Sequence, residues 1–227
     1  MGSQIATVTP SRAPVRYGKI ALLALILLVA AGFVLKYVFR YYLNYNEAAF
    51  DDPVKGAANY WAMRGWLLLH ITSGMSALLI GPFQFSGWIR KRYTKAHRVS
   101  GRVYLIAVAC GALAATRLAI GTVFGWAWGV GLITLAFAWV VCSGMAFYAI
   151  KQRQIQFHRE WMIRSYIVTF GFVTFRMMND MGPLSHLQPA GDRAVTFIWV
   201  CWVVPLLVAE VILQLRRMRQ EAARLSR

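Results

Sequence analysis

The stretch FGWAWGVGLITLAFAWVVCSGMAFYAI, residues 124–150, decides the class of the fold. It outruns the roughly 20 residues that a helix needs to cross the hydrocarbon core of a bilayer. It also lacks the alternation of a barrel strand. Backbone groups in lipid must be satisfied within the segment, so an apolar run of this length has to be helical. Five further stretches of spanning length lie outward from it, at residues 20–39, 62–85, 100–122, 157–178 and 194–215. The expected fold is all-α, an integral membrane six-helix bundle over residues 20–215. An N-terminal tail (1–19) precedes it and a basic C-terminal tail (216–227) follows. Short connections would make helices two to five a four-helix core, with the third and fifth on its diagonal.

Composition points the same way. Of 227 residues, 59% are hydrophobic and only 15% charged, whereas a soluble domain of this size exposes more charge. A net charge of +17 in a soluble protein would suggest nucleic acid. Here the basic residues sit between apolar runs, so the expected partner is the lipid bilayer and no nucleic acid. They also set the orientation. Arg12, Arg16 and Lys19 precede the first span, and Arg90, Lys91, Arg92, Lys95, Arg98 and Arg102 surround the loop between spans two and three. Lys151, Arg153, Arg159 and Arg164 surround the loop between spans four and five, and Arg216, Arg217, Arg219, Arg224 and Arg227 fill the tail. Glu47, Asp51, Asp52, Asp180 and Asp192 fall on the opposite side. By the positive-inside rule both termini are cytoplasmic, in a bacterial inner (plasma) membrane.

The first span reads as a retained signal anchor. Its apolar run is too long for a signal core, and Val29-Ala30-Ala31-Gly32 is a poor cleavage site. Tyr37, Tyr41, Tyr42, Tyr45, Tyr60 and Trp61 form an aromatic belt at the outer interface. Cys110, Cys142 and Cys201 lie inside spans without a Cys-x-x-Cys spacing, and read as packing residues. A hydrolase elbow, a phosphate loop and a zinc-helix motif are all missing.

Four histidines carry what chemistry can be read, because imidazole ligates haem iron and passes protons. His97 and His158 open the third and fifth spans, each followed by Arg, by a further Arg within two turns, and by a Tyr two residues on: His97-Arg98…Arg102-Val103-Tyr104 and His158-Arg159…Arg164-Ser165-Tyr166. Ser73-Gly74-Met75 is echoed by Ser143-Gly144-Met145, so an internal duplication is visible. On diagonal helices the two imidazoles would face each other at one depth, as a flat macrocycle requires. Gly101 would make room for the ring edge, and Arg98, Arg102, Arg159 and Arg164 would pair with propionates. The plainer reading is that His-Arg at a helix start is an interfacial anchor. His70 lies deep in the second span, with Gly74 one turn on along its face. An ionisable residue there is either functional or bonded to a Ser or Thr of a neighbouring helix. Aligning the Ser-Gly-Met triplets places Val140 across from His70, which speaks against a second bis-histidine haem. Together with His70, Arg64, Arg117, Arg176, Asp180 and His186 would surround an outward cavity for an anionic or quinone-like ligand, unless the arginines simply snorkel. Glu210 is expected to pair with an inner arginine.

The text from Leu69-His70 through Gly81-Pro82-Phe83-Gln84-Phe85, His97–Tyr104 and His158–Tyr166 resembles a bacterial family of predicted membrane proteins, a domain of unknown function. That resemblance brings no activity with it. More distantly, His-Arg-x-x-Gly at a helix start is similar to diheme b-type membrane cytochromes and ferric reductases, whose bundles use diagonal histidine pairs. This analogy implies haem b as a cofactor. Three readings follow. The bundle binds b-type haem through His97 and His158 and moves electrons, with a quinone as partner. It is instead a cofactor-free accessory or assembly subunit of a larger membrane complex. Or it transports or senses a small anion through the outer arginines.

Overall fold

The computed structural model describes residues 13–50, 60–122, 125–180 and 190–226. Helix α1 (Ala13–Phe33) passes through a π-helical turn, Val34–Val38, into α2 (Phe39–Leu43), and a short α3 (Glu47–Phe50) follows. The remaining helices are α4 (Arg64–Phe85), α5 (Gly87–Arg92), α6 (Thr94–Ile120), α7 (Trp126–Lys151), α8 (Ile155–Asp180) and α9 (Ala190–Leu225). No strand occurs among the described residues.

Five stretches are long and apolar enough to cross a bilayer: Ile20–Leu43, Arg64–Phe85, Thr94–Ile120, Trp126–Lys151 and Asp192–Leu225. The expectation of six differs at α8. It has the same 26 residues as α7, but His158, Arg159, Glu160, Arg164 and Arg176 lower its apolarity. Two of these, Glu160 and Arg164, are buried within the protein, whereas His158 and Arg176 are half-buried and Arg159 is exposed. The basic segment from residue 216 continues the helix of the last apolar run, and α9 ends at Leu225.

Helices α4, α6, α7 and α8 close a ring in which each packs on the next and α8 returns to α4. Helix α9 covers α7 and α8, and α1 covers α4. The cations of α5, of the 152–154 turn and of the end of α9 gather at one end of the ring, the basic end. The other end is called the far end.

Across the ring, α6 and α8 meet through one buried hydroxyl chain. Tyr104, with no exposure, lies 2.8 Å from both Ser165 Oγ and Thr169 Oγ1. Ser143 Oγ lies 2.7 Å from Ser165 Oγ, and Trp139 Nε1 donates to Thr169 Oγ1 at 2.8 Å. Thr169 donates to its own helix at Ser165 O, so it accepts from Tyr104. Tyr104 then accepts from Ser165, and Ser165 from Ser143, giving every hydroxyl one donor role. Tyr104→Phe breaks this chain in the middle, and the expected loss is about 1–2 kcal/mol of stability. Unfolding in mixed micelles against wild type measures it.

Candidate functional site

Helices α6 and α8 point the same way, so residues equally far from the Tyr104–Ser165 bond share a depth. His97 and His158 each stand seven residues before it, close to two full turns and roughly 10 Å toward the basic end. Two turns also restore the facing, so both imidazoles approach the ring interior. His97 lies within electrostatic reach of His158. His158 Nδ1 lies 2.8 Å from Ala146 O on α7. A carbonyl only accepts, so Nδ1 carries the proton and Nε2 keeps its lone pair. That is the usual second-sphere arrangement of a metal-bound histidine. His97 Nδ1 is buried with no hydrogen-bond partner, a costly state that an added ligand would relieve. Imidazole nitrogens of this kind are ones that a haem iron takes. Among the described residues, no three His, Cys, Asp or Glu side chains gather as an all-protein metal site.

The surroundings expected for a haem are met less evenly. Arg102 is exposed at the basic end, as are Arg98 and Arg159, and all three are free to meet carboxylates. Arg164 is not. It is 8% exposed, stacks on the Trp161 ring at 4.8 Å, and donates through Nε at 2.9 Å and through a terminal nitrogen to Glu210 of α9. A Cβ at Gly101 would meet Gln84 Oε1 of α4 at 3.3 Å. Gly101 thus serves the α4–α6 packing, beside the 2.7 Å bond from Gln84 to Ser100.

His70 occupies a different place. Its Nδ1 lies 3.0 Å from Gly111 O on α6, and its ring meets Phe172 of α8 edge-on. The expected Ser or Thr partner is a backbone carbonyl instead, one that a helix can offer at close range where the residue is glycine. Both His70 and His158 thus donate Nδ1–H to the neighbouring antiparallel helix. His70 borders a cavity of about 240 Å³ in the far half of the ring, whose walls come from α4, α6, α7, α8 and the π-helical turn of the first span.

The model of a family described as predicted membrane protein (DUF2306) matches residues 67–213. The chain belongs to this family. No curated protein and no solved structure matches the chain. The DUF2306 unit runs from the first turn of α4 into the second half of α9. It therefore contains the ring, both histidine sites and most of the α8–α9 seam, and α1 packs on it from outside.

The residues expected around an outward cavity come together only in part. Arg176 lines the cavity. Arg117 reaches toward Met63 Sδ at 3.7 Å, and Arg64 of α4 donates to Trp61 O and covers the Trp61 ring. Asp180 pairs with Lys36 at 2.7 Å and accepts from Tyr37, and His186 lies outside the described residues. Val140 is not across from His70. It is 46% exposed on the outer face of α7, and Leu132, Leu135, Ala136 and Trp139 stand there instead. The triplet alignment failed because its two serines do different work. Ser73 packs near Gly111, whereas Ser143 bonds Ser165.

Proposed function

We propose that this DUF2306 protein is a multi-pass bacterial inner-membrane electron carrier that holds one b-type haem between His97 and His158, near the basic end. The observation that carries the reading is the equal seven-residue offset of the two histidines from the Tyr104–Ser165 bond, on helices running in one direction. When bound, the haem would supply a one-electron couple. The Ala146 carbonyl fixes the rotation of the His158 ring and makes its Nε2 a donor to metal. Arg98, Arg102 and Arg159 offer positive charge for carboxylates at the rim. The same reading makes α8 a sixth span, its charges shielded by α7 and α9, and puts the basic end and both termini in the cytoplasm.

The test is optical. Full-length protein purified in detergent should give a low-spin b-type spectrum that changes on dithionite reduction, and that is lost in both His97→Ala and His158→Ala. A colourless wild type would leave the cofactor-free accessory subunit as the reading. Haem retained in both variants would remove the ligand pair.

A further inference from the structure

The far-half cavity has no part in a haem held by His97 and His158, yet its lining is chemically specific. Its polar feature is fixed by tautomer. Gly111 O can only accept, so His70 carries its proton on Nδ1 and keeps a lone pair on Nε2, on a ring that lines the cavity. No protein group among the described residues donates to that atom. The lone pair calls for a hydroxyl or N–H donor from a ligand. The walls call for a flat ring, since Trp128, Trp139, Phe172 and Phe175 line the space. Arg176, one turn from the end of α8, lines the same cavity with its guanidinium over the Tyr37 ring, and brings a donor suited to a second oxygen. The volume, about 240 Å³, falls just under the roughly 300–1,000 Å³ of drug-sized pockets and suits a one- or two-ring head group.

Two backbone features mark the space as kept open. Gly74, one turn beyond His70 on the same face, lines the cavity, and a Cβ built there meets nothing within 4 Å. The π-helical turn Val34–Val38 forms a wall through Val34 and Val38, and such turns concentrate at functional sites. The cavity lies among membrane-spanning helices, so its ligand arrives through lipid.

We infer that this cavity binds the head group of a lipid-soluble hydroquinone, one ring hydroxyl donating to His70 Nε2 and the opposite oxygen facing Arg176. Binding here needs no haem, so a colourless protein leaves this site standing.

The experiment is anaerobic calorimetry on the full chain in detergent with tetramethylhydroquinone as probe. The oxidised quinone and the dimethyl ether of the hydroquinone, both without a donor, are expected to bind at least about tenfold more weakly, roughly 1.4 kcal/mol. His70→Leu should bring the hydroquinone down to their level. Gly74→Leu, which fills the space while keeping the imidazole of His70 in the chain, should abolish binding of all three. Failure of wild type to bind the hydroquinone overturns the proposal, as does equal affinity for the ether or unchanged binding in Gly74→Leu. Haem that survives His97→Ala/His158→Ala and disappears in His70→Leu would give the cavity to haem and equally overturn it.

Discussion

Gly81→Ala is expected to destabilise the protein by about 3 kcal/mol or more, through one collision. A Cβ at position 81 would lie 2.1 and 2.3 Å from two ring carbons of Tyr166, and that ring has no room to give. Tyr166 is 7% exposed, packs against Phe85 and Phe170, and donates its hydroxyl to Leu78 O at 3.0 Å. That last bond has a cause in the sequence. Pro82 has no N–H, so the carbonyl four residues earlier, Leu78 O, loses its helical donor, and Tyr166 supplies the replacement from α8. Glycine admits the ring and proline creates the acceptor, so Gly81-Pro82 on α4 and Tyr166 on α8 form one joint that closes the ring. Overpacking a filled core costs about 1–3 kcal/mol and sometimes more, and here the displaced ring also abandons a buried carbonyl. Thermal unfolding in detergent with size-exclusion recovery reads the loss. Gly81→Ala/Tyr166→Leu should recover part of it, because the leucine clears the collision though not the orphaned carbonyl. Strictly additive losses would sink this account.

That joint was legible only in pieces. Gly81-Pro82 and Tyr166 could each be singled out in the sequence, but their connection needs α4 beside α8, which chain order does not dictate. What hydropathy does dictate is the spans. Residues 62–85 and 124–150 fall within two residues of α4 and α7, since lipid-facing composition and helix length coincide there. At α6 they part company. The apolar run begins at residue 100 while the helix begins at Thr94, so His97 sits inside the helix. A helix continues wherever its backbone bonds continue, and polar residues at the bilayer edge do not stop it. The diagonal placement of His97 and His158 follows from short hairpin connections and from their matching offsets. The commitment of Arg164 was hidden, because a single sequence does not say which of several inner cations meets Glu210. The cavity was legible only in part for a related reason. It is a shape made by five helices at once, so the sequence could name His70 and Arg176 as members of an outward cavity but not the aromatic walls between them.

Glu210→Ala should be comparably severe, at about 3–5 kcal/mol, because it strands a buried guanidinium. Two ion pairs fasten α9 to α8 near the basic end, Arg164 to Glu210 and Arg217 to Glu160. In each, one member is deeply buried: the Arg164 side chain is 10% exposed and that of Glu160 is 9%. A charge without its partner at such a position keeps its desolvation cost and loses the attraction that offset it. Glu210→Gln should cost clearly less, since an amide oxygen still accepts from the guanidinium. The decisive comparison removes both charges. Arg164→Leu/Glu210→Leu replaces a buried pair by apolar bulk, a change that is often neutral or stabilising, and unfolding in mixed micelles should place it well above Glu210→Ala. A double variant as unstable as the single one would mean that the arginine packs α8 through its stack on Trp161 rather than through its charge. The same double variant also examines the haem reading from a second side. With Glu210 neutralising the guanidinium and burial keeping it from the rim, Arg164 is committed away from a propionate. Its removal should leave the b-type spectrum in place, whereas Arg102→Gln, at an exposed cation, should weaken haem retention.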